Sequence, residues 1–515
     1  AAGDQVCLVG LDAGTREVRA GAFSPDGTLL ALARRPTPTT RPRPGWADID
    51  GEALWTAAAA ALREMVGALP PGTEPAAVAA AAVGEAGLPV DAHGRALRPI
   101  IAWFDARALA YVRRWEEALG SARVYAISGM TVDGLFGANK VMWVRDHEPE
   151  IWARTAAWLS TEDWLILKLT GAPATSHSMA ARTMLFDRFR LDWSGELLAA
   201  AGVEARRMPP AGPSGTVVGG LTAEASAATG LRAGTPVVLG GHDHVCAAFV
   251  AGGGGGMPVD STGSAEALVA SVATSPAGDV GLAAHINCFP DVVPGRLVLL
   301  ASVGLAGGLV DWLRREIWRW PDDEPEAYGR MFGELRSPLR PTGVMCFPQF
   351  GRGASPRFEP EKARGAFLGL TTGHNRGDLL QAVLEASCFS LRHNLDWMAD
   401  HLGVRAPRVR ALGGAVNLPV WLQLKATITG REFEVAAAGE PAALGAAVLA
   451  GVGAGVFPDH AAGASAVAEV CVGSGRRIAP DPELAPAYHY LYEQAWLRLP
   501  DQVGPLASIL PLPEG

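Results

Sequence analysis

Two runs, VCLVGLDAGT at residues 6–15 and TPVVLGGHDH at residues 235–244, are built alike. Each is an apolar segment the length of a buried strand that stops on an aspartate beside glycine, Asp12 in the first and Asp243 in the second. A carboxylate at a strand end, next to a glycine turn with free N–H groups, can hold a metal and the phosphates it carries. A second strand-end carboxylate can take the proton of a substrate hydroxyl. Together the two point to phosphoryl transfer from ATP.

Moving outward from the first run, residues 15–31 form a strand pair turned at Pro25-Asp26-Gly27. Residues 34–48, rich in Pro, Arg and Thr, read as an extended surface loop. Glu52–Leu69 is helical in composition, Ala77–Val83 is a strand, and the loop after it carries Glu85. Residues 107–119 and 137–169 read as mostly helical, and Pro209–Gly220 as a connector. Beyond the glycine run 252–256, which reads as a surface loop, Val259–Val272 repeats the opening strand-turn-strand around Ser261-Thr262-Gly263-Ser264. Short strands alternating with amphipathic helices give an α/β class. The repeat predicts two similar domains facing a cleft, residues 1–240 and 241–515.

With 515 residues the chain exceeds what one core can hold, and its apolar content of 49% fills two without difficulty. A net charge of −9 argues against nucleic acid as a partner. Four lysines stand against forty arginines, a compositional bias rather than a basic binding face. The six cysteines are scattered without a CxxC pair, as expected of buried free thiols in a reducing compartment. No leader-like segment precedes Val6 and no apolar run approaches twenty residues, so a soluble, cytoplasmic protein without membrane association is expected. Two nucleotide signatures are missing. No lysine follows a glycine as a P-loop requires, and no G-x-G-x-x-G opens a helix after a strand. Metal-hydrolase spacing of the HExxH kind is also absent.

From Val6 to Val456 the chain carries, in order, Asp12-Ala13-Gly14-Thr15 with Arg19; Gly45-Trp46-Ala47-Asp48; Trp103-Phe104-Asp105-Ala106-Arg107; Lys140 with Trp143; and Asp163 with Leu169-Thr170-Gly171. Gly241-His242-Asp243, the run SVGLAGGLVDW (302–312), Ala363-Arg364-Gly365 with Gly369-Leu370, Leu412-Gly413-Gly414-Ala415 with Gln423, and Glu440 with LGAA (444–447) follow. In these motifs and their order the chain resembles the FGGY carbohydrate kinases. The resemblance implies two actin-like, ribonuclease-H-like domains flanking an interdomain cleft in which ATP and sugar meet.

It also implies roles. Asp243 stands where the family keeps its general base, and Asp12 where an acidic residue positions Mg²⁺. Gly14, Thr15 and Arg19 match the phosphate-facing turn, with a strand-surface arginine as the lesser reading of Arg19. Glu85, eighteen residues before Trp103, falls where relatives keep a glutamate or histidine that binds hydroxyls, and a carboxylate accepting hydroxyls suits a polyol or ketose. His244 follows the base where relatives carry Gln or Asn, a place to bond the sugar, while His242 reads as a packed core histidine. Trp103 and Asp105 either line the sugar site or hold its loop. On the nucleotide side, Gly263 and Ser264, Gly307 and Gly308, and Gly413, Gly414 and Asn417 match successive turns where backbone approaches the ligand closely.

The chain departs from the family pattern in three places. Arg16 and Glu17 replace Ser or Thr after the first turn, the second turn reads Gly-Ser-Ala at 263–265, and Ala426-Thr427 replaces the usual Ala-Asp. The expected function is ATP- and Mg²⁺-dependent phosphorylation of a small sugar or polyol. A catalytically impaired sensor on the same fold, spoiled by Arg16 and Glu17, is the alternative, and an ATPase without a sugar substrate is a third reading. Many FGGY kinases are dimers, which leaves a homodimer open here.

Overall fold

The computed structural model describes residues 5–510 apart from 253–255, 264, 277, 322, 351–363, 438 and 474. Ser264, Ala363 and the centre of the glycine run therefore lie outside the described residues. Two mixed sheets dominate the rest. In the first, three strands, Gln5–Ala13, Glu17–Phe23 and Leu29–Pro36, run antiparallel, the last two joined through the Asp26–Gly27 turn as expected. Thr73–Ala82 then pairs parallel to Gln5–Ala13, and Pro236–His242 parallel to Thr73–Ala82.

The second sheet repeats this plan. Val259–Thr262, Glu266–Val272 and Leu297–Gly304 form the antiparallel part, and Arg408–Gly413 and Glu432–Val435 add on in parallel to Val259–Thr262. The strands are small-residue and β-branched runs, and the three parallel strands at the centre of the first sheet, Gln5–Ala13, Thr73–Ala82 and Pro236–His242, are buried over most of their length, as a sheet covered on both faces requires.

Helices cover the sheets. Gly51–Gly67 is capped by Asp50, whose carboxylate accepts from the Ala53 N–H at 2.8 Å, and it buries Leu54, Ala58, Leu62 and Met65 against the first sheet. On that sheet's other face lies Pro441–Gly453, a helix from late in the chain. Its approach is so close that a Cβ on Gly10 would meet the Ala443 carbonyl oxygen at 1.8 Å.

Three segments differ from the sequence reading. Residues 34–48 carry the end of a strand and two short strands, Thr39–Thr40 and Asp48–Ile49, because Asp48 and Ile49 pair with Ile100 and Ile101. The helical region 137–169 is split by strand Ala157–Ser160. The Pro/Gly connector ends in an edge strand, Val217–Gly220, paired with Pro236–His242. No helix among the described residues is long and apolar enough to cross a membrane. All six cysteines are buried and free, as the spacing implied.

Candidate active site

The first sheet aims three carboxylates at one place. Asp12 ends Gln5–Ala13, Glu85 follows Thr73–Ala82 by three residues, and Asp243 follows directly on Pro236–His242. These are adjacent parallel strands, and ligands of open α/β sheets bind outside such carboxyl ends. The crevice there is a cleft of about 1760 Å³ that both sheets border.

Asp243 is the first residue of helix Asp243–Ala251. Its Oδ1 accepts the His244 backbone N–H at 2.7 Å, and His242 Nε2 lies 3.3 Å from the same oxygen. Among the described residues no donor reaches Oδ2. Burial pushes the Asp243 carboxyl above its usual range, against the pull of His244. His242 is buried, as expected, and burial together with Arg182 and His244 holds it neutral. His244 lines the cleft.

Asp12 is buried too. Its Oδ2 accepts from Arg19 Nη1 at 3.1 Å, its partner across the strand pair, while among the described residues Oδ1 meets no donor. Burial, helped by the charge of Asp243 and opposed by Arg19, raises the Asp12 carboxyl to about 7. A buried carboxylate oxygen without a partner fits Mg²⁺, bound directly or through water. Among the described residues no group of three or more His, Cys, Asp or Glu could hold a metal alone. An ion here would draw further ligands from phosphate and water.

Glu85 sits in the left-handed region, with φ 61°, uncommon for a residue with a side chain. That conformation turns its carboxylate onto Arg182, whose Nε donates to Oε1 at 2.8 Å. Arg182 lies 5.1 Å from the ring centres of both Phe136 and Phe289. Sequence reading missed Arg182, for no motif marks it. Trp103 lines the cleft and donates its indole N–H to Thr15 Oγ1 at 2.9 Å, which ties the sugar-side loop to the Gly14–Thr15 turn.

Asp105 does not line the cleft. It is fully buried and accepts from Ala47 N–H and from the backbone and guanidinium of Arg107, so it holds the loop. Arg107 in turn binds Asp48 at 2.6 Å and lies over Trp46.

Gly14, Thr15 and Arg19 from one lobe, and Gly263, Gly307, Gly413, Gly414 and Asn417 from the other, all border the cleft; Gly308 does not. Helix Ala306–Glu316 places Gly307 at its first turn. Arg16, one of the departures, reaches across to Asp311 of that helix at 3.6 Å. Glu17 stays local and pairs with Arg19 at 3.2 Å. Glu440, from the far lobe, binds Arg19 at 3.4 Å and also Arg34.

The model of the FGGY carbohydrate kinase N-terminal domain matches residues 7–250, and that of the C-terminal domain residues 262–454. The chain belongs to the FGGY family of carbohydrate kinases. It is similar to the xylulose kinase of Escherichia coli, 29% identical over 87% of this chain and 90% of that one. It is also similar to the glycerol kinase of Gloeobacter violaceus, 30% identical over 88% and 89%. The solved xylulose kinase of Rhodospirillum rubrum superposes with a TM-score of 0.84 at 28% identity, covering 97% of this chain and 99% of that one. The fold is thus the two-domain FGGY architecture expected from the motifs, and the protein is a carbohydrate kinase. FGGY kinases use ATP with Mg²⁺ and act on sugars or polyols.

Proposed function

We propose that this FGGY kinase transfers the terminal phosphoryl group of ATP to a hydroxyl of a small sugar or polyol, a ketose such as a pentulose or a sugar alcohol, with Asp243 as general base. One observation carries the assignment. Asp243 borders the cleft with Oδ1 held by the His244 N–H and Oδ2 free of donors. A carboxylate anchored through one oxygen presents the other, at fixed orientation, to an incoming hydroxyl proton. Burial raises its proton affinity, which suits a group that must accept a proton while the phosphoryl group is transferred.

The remaining residues divide by side. Glu85, oriented by Arg182, accepts substrate hydroxyls, with His244 and Trp103 beside it. Gly14, Thr15 and Arg19 face the phosphates from the first lobe. Gly263 and Gly307, then Gly413, Gly414 and Asn417, take the nucleotide from the second. Asp12, with its unpartnered Oδ1, holds the metal that ATP brings. The ion and nucleotide supply charge neutralisation and the transferable group. The chain supplies alignment, a proton acceptor and exclusion of water between the lobes. On this division residues 1–240 carry most of the sugar side and 241–515 most of the nucleotide side, with Asp243 and His244, just past the boundary, facing the sugar.

ADP release with MgATP, followed across ketoses, polyols and sugar acids, tests this. One compound should stimulate strongly, and Asp243→Asn should abolish the response while the sugar still binds. Silence across the panel would overturn the reading.

A further inference from the structure

Helix Pro419–Thr429 carries a lysine beneath the second glycine turn. Lys425 is fully buried, and its Nζ donates to Asp260 Oδ2 at 2.5 Å, Thr262 Oγ1 at 2.6 Å and Glu266 Oε1 at 2.8 Å. An ammonium has three N–H groups, so all are committed. Asp260 and Thr262 lie on the strand entering the Gly263 turn, and Glu266 opens the strand leaving it. The lysine therefore grips both arms of one turn.

Its own helix follows the short helical turn Gly414–Asn417 with only Leu418 between them. Gly413 pairs with Thr262 across the sheet, with φ 82°, and a Cβ there would come within 2.3 Å of the Thr262 carbonyl oxygen. Both loops border the cleft, as does Trp421, one helical turn before the lysine.

We propose that Lys425 is a positioning residue for the nucleotide, setting the Gly263 turn against the Gly413–Asn417 loop so that one ATP engages both together. The inference rests on the reading above that these two loops hold ATP. It extends that reading to a residue that touches no ligand.

Cost supports a purpose. Burying an ammonium with two carboxylates is expensive, and apolar residues of similar size often serve stability as well or better. Burial alone would discharge Lys425, but the facing Asp260 and Glu266 more than offset it and keep it charged. Burial and the charge of Asp260 push the Glu266 carboxyl far above its usual range, against the pull of Lys425. What such a cluster provides beyond apolar packing is direction, since three bonds from one atom fix three points of the backbone around it.

The test uses the full chain, with MgADP binding followed by calorimetry. The first variant is the apolar triple replacement Asp260→Leu, Glu266→Leu, Lys425→Met, which removes all the buried charge at once. It should fold and bind MgADP about tenfold or more weakly, with the sugar KM unchanged. A folded triple variant that binds MgADP like wild type overturns the proposal. Lys425→Arg is the second variant, which keeps the charge in a different donor geometry. It should still fold and lose MgADP affinity, and unchanged affinity overturns the proposal as well. Absence of MgADP binding by the wild-type chain would overturn the nucleotide reading itself, and this role with it.

Discussion

Asp243 stands close enough to Asp12 for its charge to join burial in raising the Asp12 carboxyl to about 7. The two residues end strands separated only by Thr73–Ala82, yet their surroundings differ. Asp12 is tied to a guanidinium and keeps one buried oxygen bare, whereas Asp243 is tied to a backbone N–H and keeps one oxygen free at the cleft. In the proposed reading, that asymmetry separates a cation-holding carboxylate from a proton-accepting one.

Asp243→Asn keeps the shape and removes the proton acceptor. Turnover should fall by about 10²- to 10⁴-fold with sugar affinity nearly intact. Steady-state kinetics with a separate sugar-binding titration check this. Equal losses of binding and turnover would contradict the base role.

Asp12→Asn should act through the metal. The Mg²⁺ concentration for half-maximal activity should rise at least several-fold, while Asp243→Asn leaves it in place. A Mg²⁺ titration of both variants at saturating ATP distinguishes them.

Glu85→Gln weakens the acceptor on the sugar side and loosens Arg182. The sugar KM should rise about tenfold or more, as expected when a charged acceptor of hydroxyl groups is lost, with the KM for ATP unchanged. A parallel shift in both constants would assign Glu85 to folding instead.

Arg16 is largely exposed, and its 3.6 Å pairing with Asp311 crosses the cleft in water. Such pairs contribute about 0–1 kcal/mol. Arg16→Ser should therefore leave thermal stability unchanged and turnover within a few-fold. A collapse in ATP affinity would instead make Arg16 a phosphate ligand.

Glu162 predicts a pH effect on stability. It is fully buried, accepts from Ser176 Oγ at 2.7 Å and Gly240 N at 2.9 Å, and burial, helped by Asp163, lifts it to about 8. A carboxyl that binds its proton more tightly folded than unfolded adds stability below its unfolded pKa, and that stability is lost as pH rises to about 8. Glu162→Gln mimics the protonated acid. Its melting temperature should exceed wild type at pH 8, with the gap closing near pH 5.

The sequence displayed the candidate site wherever a local pattern marks the residue that lines the cleft. Asp12 and Asp243 were readable because each closes a strand-length apolar run, and Glu85 because it stands at a countable distance from Trp103. The doubled strand-turn-strand was readable because each copy keeps its own hairpin. Arg182 was invisible, since its partner lies 97 residues away and no periodicity links them. Asp105 kept two readings until its oxygens proved to be occupied by Ala47 and Arg107. Gly308 fell outside the cleft because adjacent residues on a helix face different ways, which a motif written as a string does not record. Lys425 gave no sign, because three partners far upstream converge on it only after folding.

The seating of Pro441–Gly453 on the first sheet has a consequence for making the protein in pieces. A polypeptide ending at residue 240 would lack the layer that covers Gly10 and Leu8, and one starting there would carry an apolar helix with nothing to cover. Expressed alone, neither half would be a self-sufficient product. Mixed together, each would hold what the other is missing, and Glu440, at the mouth of the returning helix, would bring its carboxylate back to Arg19 and Arg34. Reassembly from two fragments would restore the covering layer and the cleft in one event.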